Sequence, residues 1–366
     1  MLEFELPALH IAHLRISIPI IQSGMGVRVS GARLAAAVAN AGCAGTIASV
    51  GLGAFEHAPG SQFVKLNDDA LRTEIRKARS LSSGVIGVNV MVALSNFENL
   101  VRVAVEEGVD YISSGAGLPL DLPKLVGDAR VALIPIVSSA RALRVICTRW
   151  MHTHKRLPDA VIVEGPRAGG HLGFKPDELT EPAHALEQIV SQTVEFTQTM
   201  DKPIPVIGAG GVFDGGDIVR MLRAGASGVQ MATRFVCTEE CDADSRFKQA
   251  YINATEDDIA VIHSPVGMPG RVIRNAFVNR LTEGVSVPFR CDYRCLRSCD
   301  RNTAPFCIAK VLADAAKGNF EQAFAFAGAN AARCTEILSV KELVQKLIQE
   351  ARVSMANLQP QTCLQG

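Results

Sequence analysis

Short runs of consecutive apolar residues recur along the first two thirds of the chain, and most are separated by segments with helical spacing. Eight of these runs predict strands, at residues 19–22, 45–49, 85–90, 111–113, 133–137, 160–164, 205–208 and 228–231. Several runs are apolar at every position instead of alternating. That pattern is typical of strands buried on both faces, as in a parallel sheet.

Helices are predicted between the strands, most clearly at residues 32–40, 96–107 and 217–224. A glycine follows each of them, and glycine just past a helix permits the left-handed conformation that ends many helices. A strand–helix unit repeated eight times favours an α/β fold of the (β/α)8 TIM barrel type. A doubly wound open sheet is the alternative, although it needs a clear edge and usually has fewer strands.

The strand–helix rhythm stops near residue 236, which predicts three regions along the chain. Residues 1–235 form the barrel, and residues 236–319 form a smaller, mostly helical domain inserted after the eighth strand. Residues 320–366 return to the barrel as C-terminal helices, with helical patterns at 320–333 and 340–355.

Composition and charge narrow the function classes. Of 366 residues, 48% are hydrophobic and 20% are charged, so the chain can build a sizeable core. Lys plus Arg equals Asp plus Glu at 37 each, which gives no electrostatic case for nucleic acid or an anionic membrane. No apolar run reaches about 18 residues and no signal peptide is evident. We therefore expect a cytoplasmic protein with a small-molecule substrate, and a homodimer is one option for its assembly.

Candidate chemistry is sought at the strand ends, because barrel enzymes place reactive groups at the C-terminal ends of their strands. The first strand ends in Gln22-Ser23-Gly24-Met25-Gly26, a glycine-containing turn whose backbone can approach a flat ligand. The third strand contains Asn89. A buried Asn amide needs hydrogen-bond partners, which either loop backbone or the edge of a heterocycle can supply.

The stretch after the sixth strand is the most informative one. It contains Glu164 and then Gly169-Gly170-His171. Two successive glycines let the backbone pass close to a ligand, and a neutral imidazole is the natural general base for an acidic C–H. A lone histidine is more often structural, but this position and the flanking glycines favour a catalytic role for His171.

Glycine loops follow the seventh and eighth strands, where barrels of this type commonly bind phosphate. The seventh strand runs into Gly210-Gly211, and the eighth runs through Gln230-Met231-Ala232-Thr233. Backbone N–H groups can hold the phosphate, and Thr233 adds a hydroxyl donor. Residues 208–211 do not match the Rossmann glycine pattern. A phosphate-anchored ligand with a flat ring at the barrel mouth suggests flavin mononucleotide (FMN).

These loops together, above all Ala168-Gly169-Gly170-His171, resemble the nitronate monooxygenase (2-nitropropane dioxygenase-like) family, which includes flavin-dependent enoyl-acyl-carrier-protein reductases. The resemblance covers about residues 19–233 and continues weakly to about residue 275. It implies an FMN-binding (β/α)8 barrel with a substrate-covering second domain. It also implies that His171 is the catalytic base and that Met25 lies near the flavin ring. Some members have Gln at the position of Glu164 and Gly at that of Ala232.

Strand-end chemistry and the resemblance together predict a set of cofactor-binding residues. They are Gln22, Gly24, Met25, Asn89, Glu164, Gly169, Gly170, Gly210, Gly211, Gln230, Met231, Ala232 and Thr233.

Three functions remain open from the sequence. The first, implied by the resemblance, is oxidation of alkyl nitronates with O2, in which His171 takes the proton α to the nitro group or holds the nitronate. The second is an NAD(P)H-dependent FMN reductase of an enoyl thioester or a quinone. The third is a barrel that binds a phosphorylated ligand without turnover.

A cysteine cluster lies in the predicted second domain. Cys291, Cys295, Cys299 and Cys307 follow a C-x3-C-x3-C-x7-C spacing, which is neither that of zinc ribbons nor the usual ferredoxin spacing. If the segment is helical, the first three lie along one slowly rotating face. The alternatives are an iron–sulfur or zinc site and a set of reduced, partly buried thiols. A cluster that relays electrons would favour a reductase.

Overall fold

The computed structural model describes residues 5–53, 62–289, 291, 294–297, 299–300 and 302–358. An antiparallel hairpin, β1 (Leu9–Ile11) and β2 (Leu14–Ile16), comes first. Its apolar side chains pack with those inside the barrel, among them Ile134 and Ile162. None of the helices in the described ranges has the length and apolarity needed to cross a bilayer.

Eight parallel strands form the barrel, each at one of the predicted apolar runs. They are β3 (Ile20–Gln22), β4 (Gly45–Ala48), β5 (Ile86–Met91), β6 (Tyr111–Gly115), β7 (Ala132–Val137), β8 (Val161–Glu164), β10 (Val206–Ala209) and β11 (Gly228–Met231). A two-residue strand, β9 (Gly170–His171), lies between β8 and β10 and belongs to another sheet.

The barrel strands are hydrogen-bonded in the order β3-β11-β10-β8-β7-β6-β5-β4. The ring is completed between β3 and the start of β4: Gln22 N–H donates to Ala44 O over 2.9 Å, and Ala44 N–H donates to Ile20 O over 3.0 Å. Every residue of β4, β6, β10 and β11 is buried, which explains why their sequences do not alternate.

Helices cover the outside of the barrel. They are α1 (Ala32–Asn40), α2 (Phe63–Leu81), α3 (Phe97–Glu106), α4 (Leu122–Val126), α5 (Ala140–His154), α6 (Leu186–Gln198) and α7 (Gly215–Arg223). Their apolar faces and the outer faces of the strands form the largest core, which includes Leu34, Val88 and Trp150. The (β/α)8 TIM barrel expected from the sequence is confirmed.

The region after β11, which we call the cap (residues 237–330), covers the C-terminal end of the barrel. After the short helix α8 (Thr233–Val236), the cap contains α9 (Ser245–Ile252), the hairpin β12 (Ile259–His263) and β13 (Pro269–Ile273), α10 (Ala276–Thr282) and α11 (Ile308–Ala316). Phe277, Phe306 and Phe324 build a separate aromatic core, with ring centroids 5.8–6.2 Å apart. The chain then returns to the barrel as α12 (Val340–Leu358).

Two features of this region differ from the sequence-based expectation. The cap contains a β-hairpin, and β13 pairs with β9, so the hairpin reaches back to the loop after β8. The helix expected at 320–333 is absent except for one 3-10 turn at Ala331–Arg333. Residues 325–327 instead lie along β13: Ile273 N–H donates to Ala325 O, and Ala327 N–H donates to Arg271 O.

Candidate active site

A cavity of about 260 Å³ lies between the C-terminal ends of the barrel strands and the cap. The structure brings most of the predicted site residues together in its wall. Those lining it are Gly24, Met25, Asn89, Glu164, Gly169, Gly170, His171, Gly210, Gly211, Gln230, Ala232 and Thr233. Loops that are distant in the sequence converge here because parallel strands end at the same side of a barrel.

Gln22 and Met231 do not line the cavity. Gln22 is fully buried, and its Oε1 accepts a hydrogen bond of 3.0 Å from Thr46 N–H on the neighbouring strand. Met231 is buried in the core between strands and helices. Both residues are the last of their strands, and their side chains hold the strand ends in place.

His171 sits on β9, where it pairs with Gly270 of β13. Its Nε2 lies 2.7 Å from the hydroxyl of Ser264, a buried residue just past β12. The ring of Phe326 meets the imidazole edge-on, with centroids 4.9 Å apart. Burial lowers the pKa of His171 to about 4, so the imidazole is neutral at neutral pH and can accept a proton.

Polar side chains without partners face the same cavity. No hydrogen bond joins the Glu164 carboxyl or the Gln230 amide to another residue within the described ranges. Asn89 Nδ2 donates 3.1 Å to Ser113 Oγ, and its Oδ1 is left over. Burial raises the pKa of Glu164 to about 7. These polar atoms face the cavity, where a ligand with a polar edge can pair with them.

A positively charged corner lies at the ends of β8 and β10. Gly210 and Gly211 have φ of +87° and +109°, which turn the backbone sharply at the cavity wall. Arg167 lines the wall, and its guanidinium donates 2.7 Å to Asn330 Oδ1. Asn330 Nδ2 in turn donates 2.7 Å to Gly211 O. With Thr233 beside it, this corner suits an anionic group such as phosphate.

Two glycines permit close approach of the parts that enclose the cavity. A Cβ on Gly24 would lie 2.3 Å from Asn89 Cβ, so any side chain there would push the first loop off β5. A Cβ on Gly169 would lie 2.6 Å from the Ala327 carbonyl carbon and the Gly328 nitrogen. Glycine at 169 is therefore required where the barrel loop meets the cap.

The cap contributes site residues that sequence reasoning missed. Phe326, Asn330 and Tyr251 line the cavity, and the Tyr251 hydroxyl donates to Phe326 O. Arg271 does not line the cavity but supports the loop after β8. The buried guanidinium of Arg271 donates to Pro166 O over 2.7 Å and to Ala168 O. Ser264 lies in the segment at residues 263–270, whose sequence allows either a lining of the substrate pocket or a loop fixed by its Pro and Gly residues. No local pattern reveals these positions, since they depend on contacts between segments that are distant in the sequence.

Among the described residues, no group of three or more His, Cys, Asp or Glu side chains is arranged to hold a single metal ion. The segment with Cys291, Cys295 and Cys299 forms no helix at its described positions, so the expected helical face does not exist.

Comparison with known proteins places the chain in a family. The family model described as nitronate monooxygenase matches residues 8–350. The chain is 32% identical over 266 residues to a Mycobacterium tuberculosis protein named (3aS,4S,5R,7aS)-5-hydroxy-7a-methyl-1-oxo-octahydro-1H-indene-4-carboxyl-CoA dehydrogenase, covering 73% of this chain and 66% of the relative. The chain thus spans just under two thirds of that relative. It is 28% identical to a probable nitronate monooxygenase of Staphylococcus saprophyticus, covering 74% and 79% of the two chains.

Solved structures share the fold. FabK from Thermotoga maritima has a TM-score of 0.74 and 27% identity, covering 94% of this chain and 95% of FabK. Nitroalkane oxidase from Streptomyces ansochromogenes has a TM-score of 0.73 at 22% identity, covering 94% and 98% of the two chains, and this likeness concerns the fold alone.

Proposed function

The chain belongs to the nitronate monooxygenase family of oxidoreductases, and from that premise we propose that it is an FMN-dependent enzyme that oxidises alkyl nitronates with dioxygen. The observation that supports this proposal best is the environment of His171. A neutral, buried imidazole faces a cavity that also holds an unpartnered amide, a carboxyl group and a cationic corner.

The cavity fits FMN in the chemistry of its wall. Arg167, Thr233 and the Gly210-Gly211 backbone would hold the phosphate, while Asn89 and Gln230 would meet the polar edge of the ring. Bound FMN would supply the electron-accepting ring system and would pass the electrons on to dioxygen.

His171 would move the proton. When Nε2 donates its hydrogen to Ser264 Oγ, Nδ1 is unprotonated and can take the α proton of a nitroalkane, which forms the nitronate that is then oxidised. Ser264 and the edge-on ring of Phe326 fix the orientation of the imidazole. The same apolar surroundings keep water from the ring and lower its pKa.

A second candidate function is oxidation or reduction of an acyl thioester. It is favoured by the 32% identical relative, whose name specifies a carboxyl-CoA substrate. A thioester also acidifies the neighbouring C–H, so His171 would serve as base or proton donor in the same position. In this case a nicotinamide cofactor, NADH or NADPH, would supply or receive the electrons.

Anaerobic stopped-flow absorbance of the FMN-loaded protein tests these proposals. We expect a propyl nitronate to bleach the flavin bands within the dead time of the instrument or shortly after it. NADH and NADPH should bleach them much more slowly. Rapid bleaching by a nicotinamide, with the nitronate inert, would reject the first function and support the second. A protein that stays colourless after incubation with FMN would reject both.

A further inference from the structure

A second cavity, of about 400 Å³, lies in the cap next to the active-site cavity. All four cysteines of the C-x3-C-x3-C-x7-C segment line it, together with Arg294 and Arg297. Nothing in the proposed reaction uses this cavity. From the convergence of four thiols on one cavity, we propose that Cys291, Cys295, Cys299 and Cys307 bind an iron–sulfur cluster.

The four thiols lie near one another on the wall of one cavity. Four thiolates side by side are unfavourable unless a cationic centre neutralises them, and that is what iron supplies in a cluster.

The size of the cavity favours a cluster over a single ion. A zinc site brings four ligands to about 2 Å from one point, and no group among the described residues is arranged in that way. In an iron–sulfur cluster the Cys sulfurs bind different iron ions across an inorganic core, so they stand farther apart around a space. Four cysteines on the walls of one cavity match this second arrangement.

The protein backbone holds the cysteine segment against the barrel. Ser95 N–H donates 3.0 Å to Cys295 O, and Arg297 N–H donates 2.9 Å to Ala93 O. Leu296 forms an antiparallel bridge with Leu94. Residues 93–95 directly follow β5, the strand that carries Asn89. Arg294 and Arg297 add positive charge beside a site whose thiolate-bound core is negative.

The two cavities share part of their wall. Cys295, Leu296 and Ile308 line both the thiol cavity and the active-site cavity. A cluster on these cysteines would therefore be separated from the active-site cavity by the side chains of this shared wall. The cluster site depends on the cysteines alone, and only its nearness to the flavin rests on the proposed function.

The test uses the whole chain, expressed with added iron and purified without oxygen. We expect about two to four iron ions per chain, with an equal amount of acid-labile sulfide. A broad absorbance near 400 nm should persist after the flavin has been removed, and reduction with dithionite should bleach it and give an electron paramagnetic resonance signal. Protein that binds FMN but contains neither iron nor sulfide would overturn the proposal, as would about one zinc ion per chain without sulfide.

Variants connect the signal to the cysteines. Cys291→Ser combined with Cys299→Ser should lose the iron and sulfide, whereas Cys147→Ser, on α5 and outside both cavities, should retain them. Equal iron in both variants would contradict the assignment. Because the iron content of the unaltered chain is measured first, a variant that fails to fold does not decide the question. Iron and sulfide in a chain that binds no FMN would support the cluster and reject the proposed function.

Discussion

Burial sets the protonation of two titratable side chains that line the active-site cavity, His171 and Glu164. It lowers the pKa of His171 to about 4 and raises that of Glu164 to about 7. Between these values both groups are uncharged, so the nearby guanidinium of Arg167 is the positive charge that an anionic ligand meets. In the proposed reaction the proton-accepting group and the anion-binding group are thus different residues.

Replacing His171 tests its role as base. We expect His171→Asn to lower kcat/KM for a nitroalkane by about 10² to 10⁴-fold when proton transfer from the α carbon limits the rate. In the unaltered protein, protonation of His171 should not lower kcat/KM as the pH falls from 7 to 5, since the histidine is protonated only near pH 4. A steady-state pH profile measures both effects. His10→Asn, on the exposed face of β1, is the control, and a fall in kcat/KM near pH 6.5 would contradict the assignment.

Glu164 should make FMN binding depend on pH. The pKa of Glu164 in the folded protein lies above its usual value, so the neutral carboxyl stabilises the folded state at low pH, and this stabilisation is lost as the pH rises through 7. The neutral carboxyl does not repel an anionic ligand, whereas the carboxylate that forms above pH 7 does. We expect the Kd for FMN to rise by up to about tenfold per pH unit above 7. Fluorescence titration should show no such rise for Glu164→Gln. The same pH dependence in both proteins would exclude Glu164 as its source.

The barrel part of the site could be predicted from single residues, but the cap part could not. Asn89, Glu164 and Thr233 are found by reading strand ends, since β5, β8 and β11 all finish at one side of the barrel. Ser264 and Arg271 reach the site only through the pairing of β13 with β9. That pairing links residues about 100 positions apart, and no local pattern records it.

At the scale of whole elements, the hydrophobic pattern predicts the strands that the barrel buries on both faces. It does not predict the structure of a segment that can either form a helix or pair with a strand. The Ala-rich stretch around Phe324 and Phe326 has helical composition, yet residues 325–327 take their backbone hydrogen bonds from β13. Tertiary pairing here outweighs helix propensity, which is a weak preference of a few tenths of a kcal/mol per residue.

Two adjacent glycines test how α7 packs against α12. A Cβ on Gly215 would lie 2.1 Å from Ala351 N, so we expect Gly215→Ala to lower the free energy of unfolding by about 2 kcal/mol or more. A Cβ on Gly216 would lie 3.2 Å from Oδ1 of Asp214, the N-cap of α7, and 3.8 Å from Ser354 Oγ, so Gly216→Ala should change the free energy of unfolding by less than about 1 kcal/mol. Denaturant unfolding of both variants measures the contrast. Equal effects would mean that the two helices separate easily.

At the scale of the whole molecule, Arg271 joins the cap to the barrel. Its guanidinium supplies hydrogen bonds to two carbonyls of the loop after β8, Pro166 O and Ala168 O. Without this guanidinium the two carbonyls would stay buried and would lack a hydrogen-bond donor. The arginine therefore holds the loop that leads into His171.

We expect Arg271→Gln to lower the free energy of unfolding by about 2–4 kcal/mol and to lower kcat more than it changes the Kd for FMN. Arg280→Gln is the matched control, because Arg280 also donates to a backbone carbonyl, Glu321 O, but at the surface. Denaturant unfolding and steady-state kinetics give the two readouts. If Arg271→Gln lowers the free energy of unfolding and kcat no more than the control does, the cap is held by its apolar contacts alone.

The two-residue strand β9 has a consequence for how this scaffold can be re-engineered. His171 is encoded within the barrel portion of the gene, but its backbone is paired with β13 and its ring rests on Ser264 and Phe326. A chimera that exchanges the cap between relatives at residue 236 would separate the histidine from its supports. Functional grafts should therefore transfer residues 166–172 together with residues 237–330, so that the exchangeable module is discontinuous in sequence.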